Sequence, residues 1–268
     1  MGKYDKIFTI DKVLLNIGSY ALSVIRLPII IRDHKYLKNN SKLHEFKKHD
    51  RCYIIGLGPS LKKVDFSKIE GDVIATNRFV NYKESIDLQP NYYCLTDAAF
   101  YNTNNLETIK IAENRYKDCA FVLNGKYRDI AERVMSHETN KFYAYMWSGY
   151  YSGKKKIDLT RRTPIAGNIV CFAIMLAMFL NYKEIILLGC DFNSFASRKE
   201  IHCYEERDSK RQISMSFELF CYSFVADTHY ELNKYAESHG IKIINATENS
   251  LIDAYYYDEI IVKNYLRK

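Results

Sequence analysis

The segment Cys52-Tyr53-Ile54-Ile55-Gly56-Leu57-Gly58-Pro59-Ser60-Leu61 constrains this chain more than any other. An apolar run suited to a buried strand stops at two glycines, and a proline and a serine follow before the next apolar positions. Glycine tolerates positive φ and lets a backbone come close to a ligand. Pro59 suits the first turn of a helix, and Ser60 can cap one. Free N–H groups at a helix start attract anions, phosphate above all. The segment therefore predicts the end of the first strand of an α/β sheet, with a nucleotide phosphate against it. The plain alternative is a tight strand-to-helix turn without a ligand. No Gly-Lys-Ser/Thr follows, so this is not a Walker loop, and Leu61 stands where G-x-G-x-x-G has its third glycine.

Similar punctuation recurs downstream. Strands are expected at 52–56, 72–76, 92–96, 119–123, 185–188 and 241–245, and helices at 105–117, 127–136, 169–180 and 214–238. This alternation argues a Rossmann-like α/β fold, a mainly parallel, doubly wound sheet. The run Ile185–Leu188 is apolar on both faces, as an interior strand is. Residues 140–160, with Trp147, Gly149 and Gly153, read as an insert or small lid. A length of 268 residues suits one large domain, or one domain with an appendage. Most of the 23 tyrosines are expected to straddle core and surface.

The appendage is the basic N-terminal arm, residues 1–50, ahead of a domain spanning 51–268. Residues 1–51 hold eleven Lys/Arg and five Asp/Glu, which is +6 of the net +7. Within residues 12–31, Asn16, Ser19, Ser23 and Arg26 draw one narrow polar stripe down an otherwise apolar helix with basic flanks. Such an amphipathic helix lies in a membrane interface. Packing on the core is the alternative, and Arg26 and Pro28 argue against a spanning helix. The basic charge is assigned to the inner membrane surface and not to nucleic acid. Residues 32–50 read as a linker with a short helical part. The seven cysteines show no C-x-x-C spacing, which suggests a reducing compartment without disulfides or zinc. No cleavable signal peptide is expected, and the location expected is the cytoplasmic face of the membrane.

In open parallel sheets, ligands bind beyond the carboxyl ends of the strands. The polar and glycine positions there are Gly56, Leu57, Gly58, Pro59 and Ser60, then Asn77 and Arg78, Thr96 and Asp97, and Asp191. The helix start after Thr163 adds Ala166, Gly167 and Asn168, and the loop after Asp191 adds His202 and Tyr204. His202 is the best candidate for proton chemistry, because histidine titrates near neutrality. A solvated loop histidine is the bland alternative. Asp97 and Asp191 suit a metal ligand, a base or a structural cap. No D-x-D motif occurs, so no metal is expected.

Taken together, Ile55-Gly56-Leu57-Gly58-Pro59-Ser60-Leu61, Thr76-Asn77-Arg78-Phe79, the Gly167 helix, Asn181-Tyr182-Lys183-Glu184-Ile185, Leu188-Gly189-Cys190-Asp191-Phe192 and His202 resemble the bacterial sialyltransferases that use CMP-sialic acid. The resemblance covers about residues 52–253. Motility-accessory-factor glycosyltransferases share similar motifs. It implies a single Rossmann-like domain, a GT-A-like variant with a small lid. It also implies a metal-independent inverting transfer, with a CMP-sugar as co-substrate and no other cofactor. By position, Gly58, Pro59 and Ser60 would hold the nucleotide and Asn77 would contact it. Ala166 and Gly167 fall where the family has a Ser-Gly pair, and His202 matches its general base. The chain departs from that family at Leu57, where Asn is usual, at Asn193, where a phosphate-binding Tyr is usual, and in a shorter loop to His202. Tyr204, Arg198 or Lys199 are the candidates to replace those phosphate contacts.

The function expected is transfer of a sialic-acid-like or related acidic sugar from a CMP donor to a surface glycan or lipooligosaccharide. One alternative is a Mg²⁺-dependent phosphoryl or pyrophosphoryl transferase of the pterin pyrophosphokinase-like type, with Asp97 and Asp191 on the metal. Another is a non-catalytic nucleotide-binding module. Homo-oligomerisation is left open.

Overall fold

The computed structural model describes residues 27–267 except 86, 104, 152, 154, 155, 197–200 and 205–213, together with positions 13, 14, 17, 18, 21, 24 and 25. Seven strands form one all-parallel sheet: β1 (Arg51–Ile55), β2 (Asp72–Thr76), β3 (Tyr92–Leu95), β4 (Ala120–Asn124), β5 (Lys141–Ala144), β8 (Glu184–Leu188) and β9 (Lys242–Asn245). Their order is β5-β4-β3-β2-β1-β8-β9. β6 (Met146–Tyr150) and β7 (Thr163–Ile165) make a separate two-stranded parallel pair. The helices are α1 (Leu27–Arg32), α2 (His34–Asn39), α3 (Leu106–Arg115), α4 (Arg128–Val134), α5 (Ile169–Phe179), α6 (Met215–Ser238) and α7 (Glu259–Asn264).

The pleat explains the two cores. Along β1, Cys52 and Ile54 face one side, while Tyr53 and Ile55 face the other. The first side carries α5 and α6, and the second carries α3, α4 and α7. This is the expected doubly wound α/β arrangement. α5 is apolar all round because it is covered all round, from Cys171 to Met178. β8 lies between β1 and β9, the interior position its two apolar faces predict.

Three expectations need correction. The stretch 140–160 is not only an insert: Lys141–Ala144 is the edge strand of the main sheet, paired with β4. Residues 32–50 are not a linker. Leu37 and Leu43 are buried, and a 3₁₀ segment, Asn40–Phe46, continues from α2. Asp33, fully buried, accepts from Arg32 and from the Tyr145 hydroxyl at 2.6 Å, and Arg128 lies 3.5 Å away. Asn40 hydrogen-bonds the edge strand itself, donating to Tyr143 O and accepting from Tyr143 N. Finally, the segment after the glycine loop forms short 3₁₀ turns, Pro59–Lys63 and Phe66–Lys68; Gly58, not Ser60, is the N-cap, with Pro59 at the first helical position.

In the arm, positions 13, 14, 17, 18, 21, 24 and 25 are helical. Val13, Leu14, Ile17, Val24 and Ile25 are 51–74% exposed. The polar stripe of Asn16, Ser19, Ser23 and Arg26 lies outside the described residues. Among the described residues, no helix is long and apolar enough to cross a membrane.

Candidate functional site

The sheet changes direction at β1: the chain runs outward through β2 to β5, then returns to place β8 on the other side of β1. Ligands gather at such a switch point. A cleft opens there, beyond the carboxyl ends of β1 and β8, with a volume of about 170 Å³.

Its floor is two loops in backbone contact. Gly56 N donates to Leu188 O and Gly58 N to Gly189 O, each at 2.8 Å. Asp191 Oδ1 accepts from Ser60 N at 3.0 Å, and Asp191 Oδ2 accepts from Ser60 Oγ at 2.6 Å. A Cβ on Gly56 would lie 2.4 Å from Gly189 O, and one on Gly58 2.0 Å from Asp191 Oδ2. The glycines are therefore needed for the approach of the two loops. The Gly56, Gly58 and Ser60 amides are engaged inside the protein. Burial pushes the Asp191 carboxyl above the ordinary range, although the Ser60 hydrogen bonds oppose this. Gly56, Leu57, Gly58 and Asp191 line the cleft, whereas Pro59 and Ser60 do not.

The start of α5 forms a second wall. Asn168 caps it, its Oδ1 accepting from Cys171 N at 2.8 Å, and Asn168, Ile169 and Val170 line the cleft. The first N–H groups of a helix have no intrahelical partner, and those of α5 begin at this wall. Gly167, at φ +78°, turns the chain into α5; a Cβ there would sit 3.0 Å from Val225 Cγ2 on α6. Ala166 is buried in the core behind it.

Asn77 lines the cleft in a left-handed conformation, φ 48°. Its carbonyl accepts from the Tyr93 hydroxyl at 2.9 Å, and its buried Oδ1 has no partner among the described residues. A buried acceptor of this kind is costly unless a ligand donates to it. His202 is half-buried in the wall beside Ile201. Its loop is tied to the glycine loop by Cys203 N donating to Leu57 O at 2.8 Å, and the Tyr204 ring stacks on the imidazole at 5.0 Å. Cys203 is itself buried, which pushes its thiol up to about 12 and leaves it an anchor, not a nucleophile.

Of the other expected residues, Tyr204, Ala166 and Gly167 are not in the lining, and Arg78, Thr96 and Asp97 lie apart from this cleft. Arg78 donates to Asn105 Oδ1 at 2.8 Å and rests over the Phe100 ring. Thr96 is buried, its carbonyl accepting from Asn124. Asp97 caps its own turn by accepting from Ala99 N at 3.0 Å. Arg198 and Lys199 lie outside the described residues. Conversely, Ser194 and Tyr222 line the cleft and were not anticipated, and Phe192 and Asn193, singled out only through the resemblance, line it as well. The one advance signal for Ser194 was its position just past Asp191; Tyr222 is one of many tyrosines in the sequence.

The profile of the 6-hydroxymethylpterin diphosphokinase MptE-like family matches residues 30–195. The chain belongs to that family. The match spans β1 through β8 and so includes both loops of the cleft floor. No curated protein matches the sequence at a significant level. Among solved structures, this MptE-like chain is similar to the sialyltransferase CstII from Campylobacter jejuni, determined in complex with cytidine-5'-monophosphate. That similarity has a TM-score of 0.51 and 17% identity, and covers 77% of this chain and 84% of that one. It is also similar to the monofunctional alpha-2,3-sialyltransferase Cst-I from Campylobacter jejuni, at TM-score 0.48 and 15% identity over 77% and 79% of the two chains. The MAf glycosyltransferase from Magnetospirillum magneticum AMB-1 gives 0.49 and 11%, over 89% of this chain and 42% of that one. The first of these likenesses shows that the MptE-like chain shares the Rossmann-like fold of CstII.

Proposed function

We propose that this protein is a metal-independent, inverting glycosyltransferase that moves a sialic-acid-like or related acidic sugar from a CMP donor to a surface glycan or lipooligosaccharide. The observation that carries the reading is the meeting of three features in one cleft: the start of α5, the acceptor of Asn77 that has no partner among the described residues, and the imidazole of His202. The α5 N–H groups of Ile169 and Val170 suit the phosphate of the donor. Asn77 Oδ1 suits a donor group of the nucleoside. His202 takes the proton from the acceptor hydroxyl as its oxygen bonds to the anomeric carbon. The bond from that carbon to the phosphate oxygen breaks, and CMP leaves with its added charge facing a helix N-terminus. The cleft's 170 Å³ is below the roughly 300–1,000 Å³ of a pocket that encloses its ligand, so part of the donor extends across the mouth.

The second reading follows from the family's description. Diphosphoryl transfer relies on Mg²⁺ held by carboxylates. Among the described residues of the cleft, Asp191 is the one carboxylate, and both its oxygens are taken by Ser60. Asp97, the other carboxylate expected, is not in the cleft lining. This donor set does not fit the metal. Thermal shift separates the readings: CMP should raise the melting temperature in EDTA, and a CMP-sugar should be hydrolysed without Mg²⁺. A strict Mg²⁺ requirement for nucleotide binding would favour the diphosphokinase instead.

The arm supports a peripheral place on the cytoplasmic face of the membrane. Its exposed Val13, Leu14, Ile17, Val24 and Ile25 lie between basic flanks, the composition of an interfacial helix.

A further inference from the structure

α6 is longer than the layer it packs in. Its 24 residues span about 36 Å, whereas the 11 residues of α5 beside it span about 16 Å. α6 leads through Gly240 into the start of β9, so its last turn lies at the amino ends of the strands. Its first turns therefore project past their carboxyl ends, where the cleft opens. From Val225 onward the helix packs on the core through Val225, Leu232, Tyr235 and Ala236. Ahead of that stretch, Phe217, Leu219 and Phe220 are 44–54% exposed. Phe217 stacks on Phe220 at 6.3 Å, and Phe220 meets the buried Phe224 edge-on at 4.8 Å, so these rings are built onto a rigid helix. Single exposed apolar residues are ordinary, but three on successive turns mark a contact surface. Tyr222, on the same turns, lines the cleft, so this surface stands at the cleft mouth.

The rest of that end of the sheet indicates what covers it. α1 is held there by Asp33, which accepts from Tyr145, the residue after β5, and lies near Arg128 at the start of α4. Leu27, Ile29 and Ile31 of α1 are exposed. Exposed cations surround them: Arg32 and Lys35 beside Asp33, Lys126 just past β4, and Arg161 just ahead of β7, whose Thr163 N donates to Tyr145 O. Arg32 pairs with Asp33 and Arg161 with Asp158. Lys35 and Lys126 rest over the rings of Tyr36 and Tyr127, with no carboxylate partner among the described residues. Apolar side chains and cations at one end of a fold complement an anionic bilayer. A second copy docking through the same end would set these cations against one another.

We infer that Phe217, Leu219 and Phe220 form a second bilayer contact, inserting among anionic lipids together with α1 and turning the cleft mouth toward the membrane surface. The inference rests on the peripheral membrane reading of the arm: the arm supplies most of the attachment, and the tip of α6 sets the orientation. A bilayer-anchored acceptor then reaches the cleft without leaving the membrane.

The test is quenching by dibrominated lipid in vesicles of phosphatidylglycerol and phosphatidylcholine. It is read on full-length Phe217→Trp and Tyr230→Trp, with the wild type, through Trp147, as background. Tyr230 is exposed on α6 about 20 Å toward the amino ends of the strands. Phe217→Trp emission should shift to the blue and be quenched beyond background, and Tyr230→Trp emission should not. Phe217→Ser with Leu219→Ser, both at exposed positions, should keep the melting temperature and weaken vesicle binding about five- to tenfold. No extra quenching at 217, or equal quenching at 217 and 230, overturns the contact. If 217 is not quenched while removal of residues 1–26 abolishes sedimentation, the arm docks alone and only this inference fails. If 217 is quenched while residues 1–26 are dispensable for sedimentation, the contact stands and the reading of the arm fails. A concentration-dependent dimer lost in the double variant, with vesicle binding unchanged, assigns the surface to a second copy and overturns the bilayer contact.

Discussion

Asp191 sits where a side chain on residue 58 would have to go. Its Oδ2 is 2.0 Å from the position of a Gly58 Cβ, while its two oxygens hold the amide and hydroxyl of Ser60. The carboxylate does for this turn what a bound anion does elsewhere. It satisfies the donors at the start of a short helix. The glycine loop is thus closed from within, and the free helix start of the cleft is that of α5.

This pairing makes Gly58 and Asp191 energetically coupled. Gly58→Ala should destabilise the protein by about 2–3 kcal/mol, the scale of overpacking a filled site. Asp191→Gly should cost about 1–3 kcal/mol through the stranded Ser60 donors. The double variant should cost clearly less than the sum, by at least about 1 kcal/mol in urea titrations. Additivity within ~0.5 kcal/mol would mean that the turn moves aside without strain.

His202→Ala should lower kcat by roughly 10²–10⁴ and leave CMP affinity nearly intact. The Cys203–Leu57 hydrogen bond holds this loop against the glycine loop, so the variant should keep its melting temperature. Rates at saturating donor decide. Retention of more than about a third of wild-type kcat removes His202 from the mechanism.

His229 should give the fold an acid-sensitive step. It is buried beside Cys171, with Nδ1 2.8 Å from the Tyr255 hydroxyl, and burial pushes it down from 6.5 to about 3. Below pH 6.5 the unfolded chain takes up a proton that the folded chain refuses. Stability is therefore lost as the pH falls from there, and regained as it rises. By pH 5 the loss should be about 2 kcal/mol. Urea titrations of wild type and His229→Gln at pH 7 and 5 measure it; equal pH dependence in the two proteins would exclude His229 as the source.

Truncation should separate docking from folding. Removing residues 1–26 should abolish sedimentation with anionic liposomes and leave the domain folded. Removing residues 1–38 should also lower the melting temperature, because it takes away the buried Asp33 and Leu37 and leaves Arg128 with Asp129 but without its buried ion-pair partner. Undiminished sedimentation of the shorter truncation would refute membrane docking.

Much of the sheet was legible because apolar runs end at sharp punctuation. Asp72–Thr76 matches its expected limits, and Glu184–Leu188 differs by one residue. β5 was not legible: Lys141-Phe142-Tyr143-Ala144 lacks branched residues and sits in an aromatic stretch without clear stops. The glycine loop was legible as a turn, but its occupant was not. Asp191 reaches Ser60 across 131 residues, a contact no local pattern records. The same holds for Tyr222, whose neighbours Phe192 and Ser194 arrive from another element.

The amide of Asn40 bears on how the chain is made. It occupies hydrogen-bonding groups of β5 that another strand would otherwise seek, 103 residues further along the chain. On the ribosome this stopper emerges well before the edge it covers. At roughly 5–20 residues per second, it is in place some seconds ahead of Tyr143. The last strand on that side can then be sealed as soon as it is synthesised, which denies neighbouring nascent chains an open edge on which to aggregate.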